Sequence, residues 1–301
     1  ALKKVLRGAR WGKARQSFTL RTAFAVPAGW QEPVALLLPI GNAHDFVHPE
    51  ALAYVDGHAY QGINAHHQEI LLPPHLCDGA SHVLALFGWF GIRNEPLLMP
   101  QQEIVRIHQP TRSFVAAARV ALGVLKELDE HDPTRARVLN ALDEAFRQLD
   151  LREPFGDDFY DSLAVAQRTL DERLAAAGPA LAVDMVAVGH AHLDVAWLWP
   201  VSQTRRKVAR TFSSVLRLME QFPDFYFTQD QAQLYQYIAE DHPDIFDQVQ
   251  ARVAEGRWEV TGGMWVEADC NVVGAESLVR QLLLGRALFR RHFGEAETPI
   301  L

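Results

Sequence analysis

The pattern of apolar and polar positions changes period twice along this chain. In the first stretch, residues 18–26 alternate with the period of two expected of a half-buried strand. Asp56-Gly57 lies between two aromatic-containing runs, which is typical of a hairpin turn, and residues 82–91 predict another strand. Because turn residues are frequent and no helical period is present, residues 1–105 are expected to form an all-β sandwich or jelly-roll domain.

After Pro110 the apolar residues recur at helical spacing. Residues 114–125, 138–149 and 161–177 predict three helices, the last of which ends before a Gly-Pro pair. No chemistry is evident in these helices, so residues 106–180 are interpreted as a helical linker.

From residue 181 onward, strand patterns alternate with helix patterns. Residues 181–189, 224–229 and 257–263 predict strands, and helical sequence follows each of them, ending with a helix over 276–291. Strands separated by long helices form parallel sheets covered by helices. Residues 181–301 are therefore expected to belong to an α/β domain, with its sheet open or closed into a β/α barrel.

Composition excludes several classes of function. The 301 residues are 49% hydrophobic and 22% charged, as in an ordinary globular protein, and the net charge of −8 argues against nucleic-acid binding. No apolar run has the length of a membrane span, so no membrane partner is expected. The two cysteines, Cys77 and Cys270, indicate neither a disulfide framework nor a thiolate metal site.

Candidate chemistry is concentrated where the three predicted strands of the α/β part end. Ligands of parallel α/β folds bind at the carboxyl ends of the strands, so separate polar clusters there are expected to converge. The clusters are His190, His192 and Asp194; Gln229, Asp230 and Gln231; and Trp265, Glu267 and Asp269.

His192 and Asp194 are two residues apart, so an extended strand end directs both side chains to the same side. Imidazole and carboxylate together suit Zn²⁺ or a similar divalent ion. The competing interpretation is a histidine near the start of a helix that Asp194 caps. His190 fits either a third ligand or a group that orients another ligand.

The remaining candidates have more than one interpretation. Trp197 follows the predicted ligands directly and could stack on a sugar ring, whereas Trp199 is expected to pack in the core. Asp269 could act as a nucleophile, a base or a ligand, and Glu267 competes for the same roles. The sequence has no phosphate-binding glycine loop and no serine nucleophile motif, which disfavours nucleotide chemistry and serine hydrolysis.

These residues lie in segments that resemble the glycoside hydrolase family 38 α-mannosidases. GHAHLDVAWLWP is similar to the first metal-binding motif of the family, and GGMWVEADCNVVGAESLVRQ is similar to the segment that carries its nucleophile. DFYFTQDQAQLYQYI and YVDGHAYQGINAHHQEILLP resemble the non-secreted branch, which has an additional β domain before the catalytic domain.

The resemblance implies a retaining, metal-dependent α-mannosidase that acts on α-mannoside oligosaccharides through a covalent mannosyl-aspartate. His192, Asp194 and Asp269 would bind zinc, or cobalt in its place, Asp269 would also be the nucleophile, and Trp197 would contact the mannose. The resemblance further implies a cytoplasmic protein, and the absence of N-glycosylation sequons agrees with this location. A homo-oligomer is compatible with the resemblance.

Members of the family are several times longer than this chain. Their acid/base aspartate and second histidine ligand lie downstream of the region that matches Leu301. The chain is therefore expected to be an N-terminal portion, with a truncated catalytic domain and no activity by itself. Two alternatives remain: a metal-dependent amidohydrolase barrel, in which His190 and His192 would both bind metal, and a non-catalytic carbohydrate-binding protein.

Overall fold

The structure is a computed structural model that describes residues 3–30, 33–41, 48–92, 95–178 and 183–294. It consists of two compact units. The first comprises Ala1–Trp30, Ala35–Ile104 and Ala187–Leu301; the second comprises Gln31–Val34 and Val105–Val186 and is called the helical unit below.

The described residues contain twelve strands and seven α-helices. The strands are β1 (Arg10–Trp11), β2 (Ser17–Phe24), β3 (Val34–Leu37), β4 (Glu50–Val55), β5 (His58–Ile63), β6 (Glu69–Leu72), β7 (His82–Trp89), β8 (Leu97–Leu98), β9 (Glu103–Arg106), β10 (Gly189–His190), β11 (Phe227–Gln229) and β12 (Trp258–Val260). The helices are α1 (Gln109–Glu127), α2 (Pro133–Phe146), α3 (Asp157–Ala177), α4 (Val201–Gln221), α5 (Ala232–Asp241), α6 (Pro243–Ala254) and α7 (Ala275–Phe293).

The β-rich start of the chain is confirmed. A four-stranded sheet has the order β2-β7-β4-β5 with antiparallel pairs, and a second sheet has the order β6-β3-β9. The predicted hairpin joins β4 to β5, and both turn residues adopt positive φ, 50° at Asp56 and 89° at Gly57. Positive φ at both positions is what a tight two-residue hairpin turn requires, and it explains the aspartate-glycine pair.

The three predicted helices of the helical unit are confirmed as α1, α2 and α3. Asp132 begins α2 by accepting a hydrogen bond from the Thr134 amide at 2.7 Å, and Pro133 occupies the first helical position. The apolar stripes of the three helices meet in a core around Phe114, Leu142 and Leu163. Packing of these apolar faces therefore forms the core of the unit.

The α/β part contains a parallel sheet of order β10-β11-β12, as predicted from the alternation of strands and helices. The strands are shorter than predicted. In particular, the first strand comprises only Gly189–His190; residues 181 and 182 of the prediction lie outside the described residues, and residues 183–188 are described without strand structure. His242-Pro243 also separates α5 from α6, because proline cannot donate the backbone hydrogen bond that a continuous helix needs.

The β part and the α/β part of the first unit share a hydrophobic core. Leu52 of β4 belongs to the same buried cluster as Phe212 of α4 and Trp258 of β12. Gly62 of β5 allows close approach to α4, because a Cβ at this position would lie 2.9 Å from the Arg210 carbonyl oxygen. The predicted boundaries at 105/106 and 180/181 remain a prediction.

The expectation of both sheets and helices is confirmed by these elements. The sandwich, jelly-roll and barrel arrangements remain predictions. Among the described residues, no helix combines the length and the apolar composition needed to cross a bilayer.

Candidate active site

The carboxyl ends of the three parallel strands bring the predicted polar clusters together. His190 pairs in register with Thr228, and Gln229 pairs with Val260, so the segments after the three strands leave the sheet at one edge. The predicted site therefore lies at the edge of the sheet where the strands end, which is where parallel α/β sheets bind ligands.

His192 lies between two carboxylates. Its Nε2 is 3.3 Å from Asp194 Oδ1, and its Nδ1 is 3.2 Å from Glu267 Oε2. The three side chains are between 41% and 57% exposed, so the group faces solvent at the edge of the sheet. The structure thus joins the first and third polar clusters through Glu267 rather than through Asp269.

The charges in this group shift two pKa values. Partial burial opposes protonation of His192, but the negative charges of Glu267 and Asp194 outweigh it and raise its pKa. Burial and a hydrogen bond with Asp230 raise the pKa of Glu267. Asp230, from the second cluster, is therefore also a neighbour of the site.

The donors at His192 and Asp194 fit two positions of a zinc site. Ligand atoms about 2.0 to 2.2 Å from zinc lie about 3.3 to 3.5 Å apart at adjacent corners of a tetrahedron. The 3.3 Å between Nε2 and Oδ1 has this value. A histidine that binds metal through one ring nitrogen usually donates the other to a carboxylate or a carbonyl, and Glu267 occupies that position at Nδ1.

A third ligand is not brought to this pair within the described part of the chain, where no group of three or more His, Cys, Asp or Glu side chains is arranged to hold a metal ion. The assignment of His192, Asp194 and Asp269 as a ligand set therefore remains a prediction. His190 has its Nδ1 3.0 Å from the Thr228 carbonyl oxygen. Because a carbonyl only accepts, Nδ1 of His190 carries the proton and donates.

Gln231 connects the segments that carry the candidate residues. Its amide nitrogen donates to the Leu193 carbonyl at 2.9 Å, and its amide oxygen accepts from the Glu267 backbone N–H at 3.3 Å. The residue is 3% exposed and adopts a left-handed φ of 59°. Such a conformation is uncommon for a residue other than glycine and costs energy, so the surrounding contacts must hold it in place.

Asp269 lies in an exposed turn after β12. Its Oδ1 accepts a hydrogen bond from the Asn271 backbone N–H at 2.9 Å, and its carbonyl oxygen accepts from the amides of Val272 and Val273. These hydrogen bonds hold the turn locally and leave one carboxylate oxygen outside them. Cys270 beside it is a free thiol and is exposed.

Helix α7 supports the segment that leads to Asp269. The side-chain amide oxygen of Gln281 accepts a hydrogen bond from the Val266 N–H at 2.8 Å. The backbone carbonyl oxygen of Gln281 accepts one from the Trp265 N–H at 2.9 Å. At Gly285 an added Cβ would lie 2.2 Å from the Gly263 carbonyl oxygen. The glycine is required because the helix and the segment are in backbone contact here.

The two tryptophans of the first segment have different environments. Trp197 is 54% exposed and meets Trp199 edge-on, with ring centroids 5.4 Å apart. Trp199 is partly buried; its indole N–H lies 3.3 Å from the Asp194 carbonyl oxygen and 3.2 Å from Thr204 Oγ1. Lys207 Nζ lies 4.2 Å from the centroid of the Trp199 ring. Trp199 thus supports the backbone of the segment, and Trp197 is presented to solvent.

Comparison with known sequences agrees with this location. Residues 182–300 match the Glycosyl hydrolases family 38 N-terminal domain. The matched segment begins just before β10 and includes all three strand ends described above, so the resemblance inferred from the motifs is confirmed.

The curated relatives of this family 38 segment are α-mannosidases. The chain is 43% identical over 112 residues to Alpha-mannosidase G of Dictyostelium discoideum, 38% identical over 149 residues to Alpha-mannosidase of Saccharomyces cerevisiae, and 32% identical over 198 residues to Alpha-mannosidase 2C1 of Mus musculus. These matches cover 37%, 49% and 65% of this chain. The chain spans only 10%, 13% and 18% of the respective relatives. The family match and the names of these relatives agree with the expectation that the chain is part of a glycoside hydrolase.

In the sequence, Gln231 and Asp230 are recognisable only as members of a polar cluster, and nothing in it connects Glu267 with His192. The one sequence signal was the position of Gln231 directly after a strand end. Its role depends on a buried side chain that reaches two other segments, and no spacing rule predicts such a contact.

Proposed function

We propose that this chain forms the N-terminal part of a retaining, metal-dependent α-mannosidase that hydrolyses terminal α-mannosides of oligosaccharides. The observation that carries the proposal is the placement of His192 between Asp194 and Glu267 at the edge of the parallel sheet, inside the family 38 segment. The α-mannosidase names of the relatives supply the substrate class.

His192 and Asp194 would bind a zinc ion, or a cobalt ion in its place, and Glu267 would orient the His192 ring through Nδ1. The bound metal would act as a Lewis acid toward sugar hydroxyl oxygens. Asp269 is the proposed third ligand from this chain.

Asp269 is also the proposed nucleophile. Its carboxylate would attack the anomeric carbon of the mannoside and form a covalent mannosyl-aspartate as the bond to the leaving oxygen breaks. A second carboxyl must protonate that oxygen and later activate the water that hydrolyses the intermediate. We assign this second carboxyl, together with one more histidine ligand, to the region of the family downstream of residue 301.

Trp197 is proposed to contact the mannose ring. Its indole is 54% exposed and follows the two metal ligands by only a few residues, and Trp199 supports it from the side. An exposed, rigid aromatic surface suits the apolar face of a sugar. The partly buried Trp199 has no proposed contact with substrate.

We further propose that the 301-residue chain is inactive by itself and binds metal weakly. The support is that the proposed acid/base carboxyl and one histidine ligand are assigned to the downstream region of the family, so this chain would supply only part of the site. We also propose that β10, β11 and β12 are the first strands of a β/α barrel and that the preceding strands form a sandwich. A cytoplasmic location and a homo-oligomeric state remain predictions.

Metal content tests the proposed ligands. We expect a longer chain that includes the downstream region to retain zinc after dialysis. The His192→Ala variant of that chain is expected to lose zinc, because the site has few ligands and the substitution removes one of them. His131→Ala is the matched control, since His131 is a solvent-exposed loop histidine in the helical unit. Equal zinc content in wild type and His192→Ala would contradict the assignment.

Hydrolysis of an aryl α-mannoside tests the reaction. We expect the longer chain to be active and the Asp269→Asn variant to lose both turnover and the burst of covalent labelling. Asp247→Asn, which alters an exposed carboxylate on α6, is the control. Cleavage of amides without cleavage of glycosides would favour the amidohydrolase alternative, and sugar binding without metal or turnover would favour a binding protein.

A further inference from the structure

Helix α1 of the helical unit exposes an apolar surface that its own unit does not bury. One side of α1 packs in the core of the unit through four buried residues, Phe114, Ala118, Ala121 and Leu125. The rest of a surface helix is normally charged or polar. On α1 it includes four large aliphatic side chains, each between 37% and 68% exposed: Val115, Val120, Leu122 and Val124. Exposed apolar groups that lie together on one element mark an interaction surface.

Two charges on this surface are placed symmetrically about Gly123. Because each residue of a helix advances by about 100°, position 123 faces almost directly away from the buried side of α1. Arg119 lies one turn before Gly123 and Glu127 one turn after it, and both are exposed. Neither forms an ion pair or a side-chain hydrogen bond with any residue in the described ranges. A cation and an anion at equal distances from one point make this surface complementary to itself.

We propose that the exposed side of α1 binds α1 of a second copy of this chain, antiparallel and across a two-fold axis at Gly123. Such an axis places a residue four positions before Gly123 beside the residue four positions after Gly123 of the other copy. Arg119 then lies beside Glu127 of the partner subunit, twice in each dimer and about 6 Å to either side of the axis. A parallel pair in register would instead place equal charges side by side, which disfavours it.

The same arrangement allows close packing and covers apolar side chains. Nothing lies within 4 Å of a Cβ built at Gly123, so no side chain of the chain itself stands at the crossing point. The axes of packed helices lie about 8 to 10 Å apart, and a crossing point without a side chain permits this approach. Val120 and Val124 lie within one turn of Gly123, and their exposed surface would be removed from water. This association is independent of the proposed glycosidase reaction.

Sedimentation velocity of the 301-residue chain at increasing concentration tests the association. One pair of helices buries less surface than a standard interface, so we expect a reversible dimer with a dissociation constant of about 1 to 100 μM. Val120→Asp should weaken the dimer about tenfold or more, because it brings a carboxylate into the apolar contact. Leu139→Asp, which changes a 49% exposed residue of α2, is the matched control and should dimerise as wild type does. A chain that stays monomeric at about 1 mM, or an equal loss in both variants, would overturn the proposal.

Charge reversal tests the antiparallel pairing. Arg119→Glu brings two carboxylates together at each contact and Glu127→Arg brings two guanidinium groups together, so each variant alone should dimerise about tenfold more weakly than wild type. An equimolar mixture of the two variants should regain the wild-type affinity, because a mixed dimer pairs opposite charges at both contacts. Arg168→Glu, at an exposed position of α3, is the control and should dimerise as wild type does.

The mixture decides between this pairing and a general effect of charge. If the mixed variants form no more dimer than each variant alone, the two-fold pairing of α1 is wrong and the proposal is overturned. An equal loss of affinity in Arg168→Glu would overturn it as well. Thermal unfolding verifies that each variant is folded, as expected for substitutions at exposed positions.

Discussion

Lys207 Nζ lies 2.6 Å from Glu50 Oε2, so a carboxylate of the β part and an ammonium of α4 form an ion pair inside the first unit. The Arg210 guanidinium contacts the same oxygen at 2.7 Å. All three side chains are at most 16% exposed. Because Lys207 also lies over the Trp199 ring, the β part is connected through it to the segment that carries His192 and Asp194.

Glu50→Gln is expected to destabilise the chain by about 3 kcal/mol, because it leaves two buried cations without their counter-charge. Burial alone would raise the pKa of Glu50, but Arg210 and Lys207 lower it, so the residue is charged at neutral pH. Urea unfolding at pH 7 measures the difference. Glu130→Gln, at a 79% exposed side chain, is the control and should change the free energy of unfolding little. Equal stability of Glu50→Gln and wild type would contradict the buried pair.

His82 is expected to make stability depend on pH. Hydrogen bonds to Asp56 (2.7 Å) and Asp78 (3.1 Å) raise the pKa of His82. The pKa values of the two carboxyls are lowered, by hydrogen bonds from the backbone amides of Val83 and Ala80 and by those from His82. A raised histidine pKa stabilises the folded state fully below the unfolded value of about 6.5, and this contribution is lost as pH rises through the folded value.

The lowered carboxyl pKa values act in the opposite direction, since their contribution is lost in acid. We therefore expect His82→Gln to lower the urea midpoint more at pH 5.5 than at pH 9. His131→Gln, at an 88% exposed side chain, serves as the control. The same decrease at both pH values would show that the charge of His82 contributes nothing.

Gln231→Ala is expected to loosen the two segments that the side chain connects, while the fold is retained. Loss of both amide hydrogen bonds should increase hydrogen exchange of the backbone around Leu193 and Glu267. In a longer, metal-binding chain we expect metal affinity to fall by about tenfold to a hundredfold, as for other groups that position ligands. Gln236→Ala removes a surface contact with Glu240 on α5 and is the matched control. Unchanged exchange in Gln231→Ala would contradict the positioning role.

Two glycine-to-alanine substitutions in helices should have opposite effects. In Gly285→Ala the new methyl would meet backbone atoms of Gly263 and Met264, which cannot rotate away, so we expect a loss of about 1 to 3 kcal/mol. Gly123 of α1 has nothing within 4 Å of the same position, so Gly123→Ala should gain about 0.5 to 1 kcal/mol from helix propensity. Denaturant midpoints of the two variants and of wild type measure these changes in stability. A higher stability of Gly285→Ala would mean that α7 does not approach the Gly263–Met264 backbone this closely.

Local sequence was enough to predict much of this protein. The alternation in residues 18–26, the Asp56-Gly57 turn and the apolar stripes of α1 to α3 each depend on residues close together in the chain, and the structure confirms them. The family 38 motifs were likewise contained in short segments and are confirmed by the comparison. Strand lengths in the α/β part were overestimated, because an apolar run such as residues 183–188 does not by itself provide a partner strand.

Only the tertiary structure determined which side chains meet. Glu267 rather than Asp269 contacts His192, Gln231 reaches both neighbouring segments, and Glu50 of the β part pairs with Lys207 of α4. Each contact joins residues from separate elements, so it depends on strand register, on the direction in which a side chain leaves its backbone and on how closely helices pack. Periodicity along the chain determines the elements and their buried faces; the distances between their side chains are set only when those faces pack together.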